Sequence, residues 1–184
     1  DQSGQMADVG FSLYTELLER AVRSIREGRL PDIDAVDRHG AEVELHLPAL
    51  IPDDYLPDVH TRLTLYKRIS GARDADGLRE LQVEMIDRFG LLPEPAKNLF
   101  AVAALKQQAT ALGIRKFDLG PEGGRLQFVE KPDVDPMGVI RLIQGQPKHY
   151  AMDGPDRLRL RLELPTPAER IDAARGLLAV LAPG

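Results

Sequence analysis

The chain has 184 residues, a formal net charge of -5, no cysteine and no tryptophan. That length suits one globular domain with an extension, or at most two small ones. The missing cysteines exclude disulfides and thiolate-ligated metals, and an acidic balance disfavours a dedicated duplex-binding role, which draws on a surplus of Lys and Arg.

Aromatic residues make up only 5% of the chain, so Leu, Val, Ile and Ala must fill the core. No apolar run approaches the roughly 18 to 20 residues that span a bilayer. The first residues lack the basic and apolar regions of a signal peptide and the chain does not begin with Met. The expectation is a piece of a longer cytoplasmic protein with no membrane partner.

Residues 1–10 are polar and read as a connector. A helix is predicted from Phe11 to about Glu27, with Phe11, Tyr14, Leu18, Val22 and Ile25 on one face and Gly28 to stop it. Arg29 to Gly40 reads as a loop. Ala41 to Leu47 alternates, with Val43, Leu45 and Leu47 on one side and Glu42, Glu44 and His46 on the other, as a half-buried strand does. After Pro48, Pro52 and Pro57, a helix from about Asp58 to Gly71 carries Leu63, Leu65, Tyr66 and Ile69. The next runs from about Asp74 to Phe89 and is closed by Gly90. Another begins near Glu94, with Pro95 in its first turn, and ends at Gly113. Its middle, Leu99 to Leu105, is apolar nearly all round and predicts a central buried helix.

The period then changes. Ile114 to Leu119 and Arg125 to Glu130 flank Gly120-Pro121-Glu122-Gly123-Gly124, a hairpin pattern. A short helix is expected at Pro136 to Gln144 and strands at Tyr150 to Met152 and Arg157 to Leu164. In the last strand Leu158, Leu160, Leu162 and Leu164 point inward, and Arg157, Arg159, Arg161 and Glu163 outward. A closing helix spans Thr166 to about Leu181. Helices first, then strands mixed with helices, predict an α+β fold: several helices packed on a small, mostly antiparallel sheet. Residues 1–28 form the connector and linker helix, and 29–184 the domain.

Few residues suggest chemistry. His39, His46, His60 and His149 lack metal-ligand spacing. Asp32, Asp34 and Asp37 are similar to a calcium loop, but Val43 stands where a bidentate Glu would close it. The glycines at 120–124 lack the Lys-Ser/Thr ending of a phosphate loop. No acid–base pair is evident, so no catalytic residue, metal or cofactor is assigned to the chain.

Two surfaces remain. On the Asp74–Phe89 helix, Leu78, Leu81, Met85, Ile86 and Phe89 face the core at about 100° per residue. Glu80, Glu84 and Asp87 converge opposite them, with Val83 beside them and Arg88 at the border. This is either a solvated acidic face or a docking stripe for a basic partner. Arg157, Arg159 and Arg161 are either a solvated sheet face or a contact for nucleic acid.

Gln2-Ser3-Gly4-Gln5-Met6 and Val9-Gly10-Phe11-Ser12-Leu13-Tyr14 resemble the end of the motor region of transcription-repair coupling factors. The Gln-Ser-Gly part is similar to the tail of the translocation motif shared with the RecG helicase. The resemblance continues through Leu65-Tyr66-Lys67-Arg68-Ile69, Asp87-Arg88-Phe89-Gly90-Leu91-Leu92-Pro93, Leu105-Lys106, Leu112-Gly113-Ile114-Arg115-Lys116 and Gly123-Gly124, over essentially the whole chain. It implies a parent that is an ATP- and magnesium-dependent DNA translocase, which displaces stalled RNA polymerase and recruits UvrA for nucleotide excision repair. It further implies that this C-terminal regulatory (TRCF) domain is non-catalytic and clasps the UvrB-like N-terminal module of the same protein, masking the surface UvrA needs. RNA polymerase and DNA would be contacted through other domains, and Gln2 would be a remnant of the translocation motif. The runner-up reading is an accessory nucleic-acid-binding domain that uses the Arg157 to Arg161 face.

Overall fold

The computed structural model describes residues 40–184. The expected connector, the Phe11–Glu27 helix, the boundary near residue 28, Gln2, His39 and the Asp32, Asp34 and Asp37 loop lie outside the described residues. The rest separates into two compact units: residues 47–104 in the first, 40–46 and 105–184 in the second.

The first unit is helical. Helix α1 spans Val59–Gly71, α2 Ala75–Phe89, and α3 Glu94–Leu112, of which residues to Ala104 belong here. The starts of α1 and α2 are written locally. The Asp58 carboxylate accepts from Thr61 N–H at 3.1 Å and the Asp74 carboxylate from Gly77 N–H at 2.8 Å, satisfying first-turn amides that otherwise lack partners. Gly90, at φ 97°, closes α2 by donating its N–H to the Ile86 carbonyl at 2.9 Å. Leu65, Tyr66, Ile69, Leu78, Leu81 and Met85 are buried.

Helix α3 is buried along its middle as expected: Leu99, Phe100, Ala101, Val102, Ala103 and Leu105 are all in the core. The proline-rich segment before α1 is fastened by polar bonds. Ile51 N–H donates to the Tyr66 hydroxyl at 2.7 Å, Leu50 N–H to the Pro95 carbonyl at 3.1 Å, and the Asn98 amide to the Pro48 carbonyl at 2.9 Å. Expectation and structure part at the rim of α2. Ile86 was expected in the core but is 37% exposed. It lies about 100° around the helix from Met85, and Met85 holds the centre of the buried stripe. Phe89 is half-buried, its ring edge-on to Tyr55 at 6.2 Å.

The second unit is a five-stranded sheet with two helices. Its elements are β1 (Glu42–Glu44), β2 (Ile114–Gly120), β3 (Gly123–Phe128), α4 (Pro136–Gly145), β4 (Tyr150–Met152), β5 (Arg157–Arg161) and α5 (Pro167–Leu181). The strand order is β1-β2-β3-β5-β4. Only the β1–β2 pair is parallel, so the unit is α+β with a mostly antiparallel sheet. The hairpin turns tightly at Pro121-Glu122. A Cβ at Gly123, where φ is +119°, would lie 2.1 Å from the Leu160 carbonyl oxygen, and one at Gly124 only 1.8 Å from that of Asp118, so both positions require glycine.

Val43, Phe117, Leu119, Leu126, Leu158 and Leu160 fill the covered side of the sheet, with Ile171, Ala174, Leu178 and Leu181 from α5. Two strands are shorter than their alternation predicts. Burial alternates through Leu47, yet the ladder ends at Glu44, and β5 ends at Arg161 with Leu162 and Leu164 half-buried. β5 stops where its partner does, because Arg161 pairs with Gly123, the first residue of β3. The buried guanidinium of Arg170 donates to the carbonyls of Leu45 (3.1 Å), His46 (2.8 Å), Leu164 (2.9 Å) and Pro165 (3.0 Å). After β1 the carbonyls of Leu45 and His46 are held by this clamp instead of a ladder, and His46 sits at φ 55°.

Candidate interaction surfaces

The outer face of α2 is organised around Glu84. Arg68, one helix earlier, grips its carboxylate with both terminal nitrogens, at 2.5 and 2.8 Å, and Arg88 adds a third bond at 3.2 Å. The Arg68 hydrogen bonds are the main cause of a Glu84 pKa lowered to about 2, and the same bonds raise that of Arg68. The Arg88 guanidinium also stacks over the Phe89 ring, 4.7 Å from its centre. Pairs this exposed order their side chains more than they stabilise a fold. The acids of the face thus differ. Glu84 is neutralised within the unit, whereas Glu80 and Asp87 have no ion pair among the described residues. Val83 is 54% exposed on the same helix.

Sequence reasoning placed Glu80, Val83, Glu84, Asp87 and Arg88 on one helix but did not find Arg68. The signal was thin: a basic residue in the last turn of the preceding helix, with no indication of which acid it meets.

The second surface is the uncovered side of the sheet. Arg157, Arg159 and Arg161 point outward from β5 as their alternation predicts, with Leu158 and Leu160 buried between them. The register adds two cations: Arg125 lies directly opposite Arg159, and Lys116 shares a cross-strand row with Gln127 and Arg157. Counting outward from the hairpin turn would have found both. Acids lie on β1 and β2: Glu42 opposite Lys116, and Glu44 opposite Asp118, which on its other side faces Arg125. Asp118 is paired with His46 at 2.8 Å.

Two cavities open on this face. One of about 440 Å³ is lined by Lys116, Asp118, Gly124, Arg125, Gln127 and Arg157. The other, about 310 Å³, lies among Pro147, Lys148, His149, Tyr150, Ala151, Arg159 and Arg161. His149 donates from Nδ1 to the Arg161 carbonyl at 2.8 Å, and its ring meets that of Tyr150 edge-on at 6.4 Å. Partial burial raises the Tyr150 pKa, so its hydroxyl stays neutral across the physiological range.

Among the described residues there is no group of three or more His, Asp or Glu placed to hold a metal ion, and no helix long and apolar enough to cross a membrane.

Comparison with known proteins identifies the family. The TRCF domain family model matches residues 45–139. The transcription-repair-coupling factor of Escherichia coli strain K12 is 48% identical over 181 residues, covering 98% of this chain and 16% of that protein. That of Haemophilus influenzae is 43% identical over 182 residues, covering 99% and 16%. The chain thus spans about a sixth of these relatives. A crystal structure of a C-terminal domain of transcription-repair coupling factor superposes with a TM-score of 0.65 at 20% identity, covering 77% of this chain and 94% of that one, a likeness of fold. With a family model over half its length and relatives aligned along nearly all of it, the chain belongs to the TRCF domain family of the transcription-repair coupling factors.

Proposed function

We propose that this domain is a non-catalytic regulatory module that docks through the outer face of α2 on the UvrB-like N-terminal module of its parent protein, masking the surface used by UvrA. The observation that carries the reading is the composition of that face. An exposed valine lies among acids, and the central one, Glu84, is immobilised by Arg68 and Arg88. A small apolar anchor beside ordered charge is the usual anatomy of an interaction surface. Glu80 and Asp87 supply the negative charge for a basic partner, and Arg88 borders the contact.

In this reading the parent is the ATP- and magnesium-dependent DNA translocase, which meets RNA polymerase and DNA through other domains. The domain itself hydrolyses no ATP. Tethering within one polypeptide lets a weak clasp suffice, because the tether supplies an effective concentration that reaches millimolar.

The test is titration calorimetry of this chain against a separately produced UvrB-like module, with UvrA as competitor. Val83→Lys combined with Asp87→Ala should weaken the complex at least tenfold and leave the melting curve unchanged. Wild-type affinity in that variant would return the face to an ordinary solvated surface. Glu84 is avoided in this test because its loss also frees Arg68 and Arg88.

A further inference from the structure

Val83, Ile86 and Leu91 are large apolar side chains left exposed along the end of α2 and just beyond it, and Leu91 is 84% exposed. A single exposed leucine needs no explanation, but these residues fall on one line. At about 100° per residue, Gly90 comes within about 20° of Val83 around the helix axis, and Ile86 lies about 60° to that same side. Asp87 lies about 40° to the other side of Val83 and Glu80 about 60°. The line therefore runs from Val83 past a bare glycine to Leu91, with acids along one flank. Leu91 is also fixed at its root. Gly90 N–H donates to the Ile86 carbonyl at 2.9 Å, and the Gly90 carbonyl accepts from the Tyr55 hydroxyl at 2.8 Å. The Tyr55 ring stands edge-on to Phe89, over which Arg88 stacks. On the other side of Leu91, Leu92 is buried and the Pro93 carbonyl accepts from the Ala96 and Lys97 amides at 3.0 Å. The leucine thus stands out from backbone held on both sides, so covering it costs little further ordering.

We propose, resting on the reading of the outer face of α2 as the side that meets the UvrB-like module, that Leu91 is the main apolar anchor of that contact and enters an apolar pocket of the module with a basic rim. Charge selects this occupant. Glu80 and Asp87 have no ion pair among the described residues, so a cationic rim gains complementarity without displacing an internal partner. A second copy of this chain would meet the surface through the same patch in an isologous contact, setting Glu80 and Asp87 against their own counterparts. The same acids repel nucleic acid and anionic lipid. An apolar anchor preset in the free protein, beside unpaired acids, therefore fits a basic protein surface with a hole in it. Sequence patterning on α2 could not reach Leu91, because it lies beyond the end of the helix.

The experiment is titration calorimetry of the intact chain against the UvrB-like module, comparing wild type, Leu91→Ser, Leu91→Met and the Val83→Lys, Asp87→Ala double variant, with sedimentation of each chain alone. Leu91→Ser should weaken the complex roughly tenfold or more, the worth of covering one leucine. Leu91→Met, which keeps the apolar bulk, should retain most of the affinity. Both melting curves should match wild type, because so exposed a side chain supports little of the fold. Wild-type affinity in Leu91→Ser, with the double variant weakened, overturns the anchor and leaves the α2 reading standing. Weakening by Leu91→Ser alone keeps the anchor and removes the acidic face from the contact. Absence of binding by the wild-type chain overturns both. Self-association that Leu91→Ser abolishes, with binding to the module unchanged, would assign the leucine to a second copy and overturn the proposal.

Discussion

The outer face of α2 and the open face of the sheet handle charge in opposite ways. On α2 the central acid is closed off by two guanidiniums, one of which stacks on a phenylalanine. On the sheet Arg159 and Arg161 have no ion pair among the described residues, and Arg159 stands directly opposite Arg125. Charge that is neutralised internally shapes a surface and lowers its dependence on a ligand. Charge left in mutual repulsion costs stability in the free protein, and a ligand recovers that cost. The first surface is thus ordered from within its own unit, whereas the second keeps open charge.

Two substitutions, one per unit, set the scale against which the surfaces should be judged. Phe100→Ala in α3 should cost roughly 3 to 5 kcal/mol, the range for truncating a buried aromatic ring, read from the denaturant midpoint. A loss under about 1 kcal/mol would mean that α3 is not the core of its unit. Arg170→Met keeps the apolar stem but leaves four carbonyls without their donor. It should cost on the order of 3 kcal/mol, with amide protection lost around residues 42–46 and 160–165.

The surfaces should respond less, and with different signs. Arg159→Thr removes the like-charge pair with Arg125 and should stabilise the domain by about 0.5 kcal/mol, read from the denaturant midpoint. Destabilisation would show that the arginine is held by the fold and that the contrast between the faces is false. The smallest effect belongs to Glu84. Its folded pKa of about 2 lies below the ordinary 4.5, so the unfolded chain binds more protons between those values. The pair's stabilisation is therefore complete above about pH 4.5 and is lost as pH falls toward 2. Glu84→Gln should flatten the stability profile in that window, with its small loss present in full at neutral pH and vanishing as pH falls toward 2.

What could be read from the sequence was what neighbouring residues decide among themselves. Asp58, Asp74 and Thr166 each cap a helix through an amide three residues on, and all three helix starts were predicted there. The glycine-rich hairpin and the buried middle of α3 were legible for the same reason. Distant partners were not. Alternation from Ala41 to Leu47 announces a strand but not that it pairs in parallel with β2, nor that a guanidinium over 120 residues away will end it. The acidic face of α2 was legible as a pattern. That Glu84 is already engaged was not, because Arg68 reaches it from another helix.

The parallel β1–β2 pair also bears on synthesis. Glu42 faces Lys116 in the register, so β1 leaves the ribosome some seventy residues ahead of its partner. At about 5 to 20 residues per second, that leaves the strand unpaired for several seconds, while residues 47–104 emerge and fold. A long apolar strand would be an aggregation hazard over such a wait. Here the strand has only three paired residues, and two of them, Glu42 and Glu44, are charged. Its brevity keeps it harmless to neighbouring nascent chains until β2 arrives.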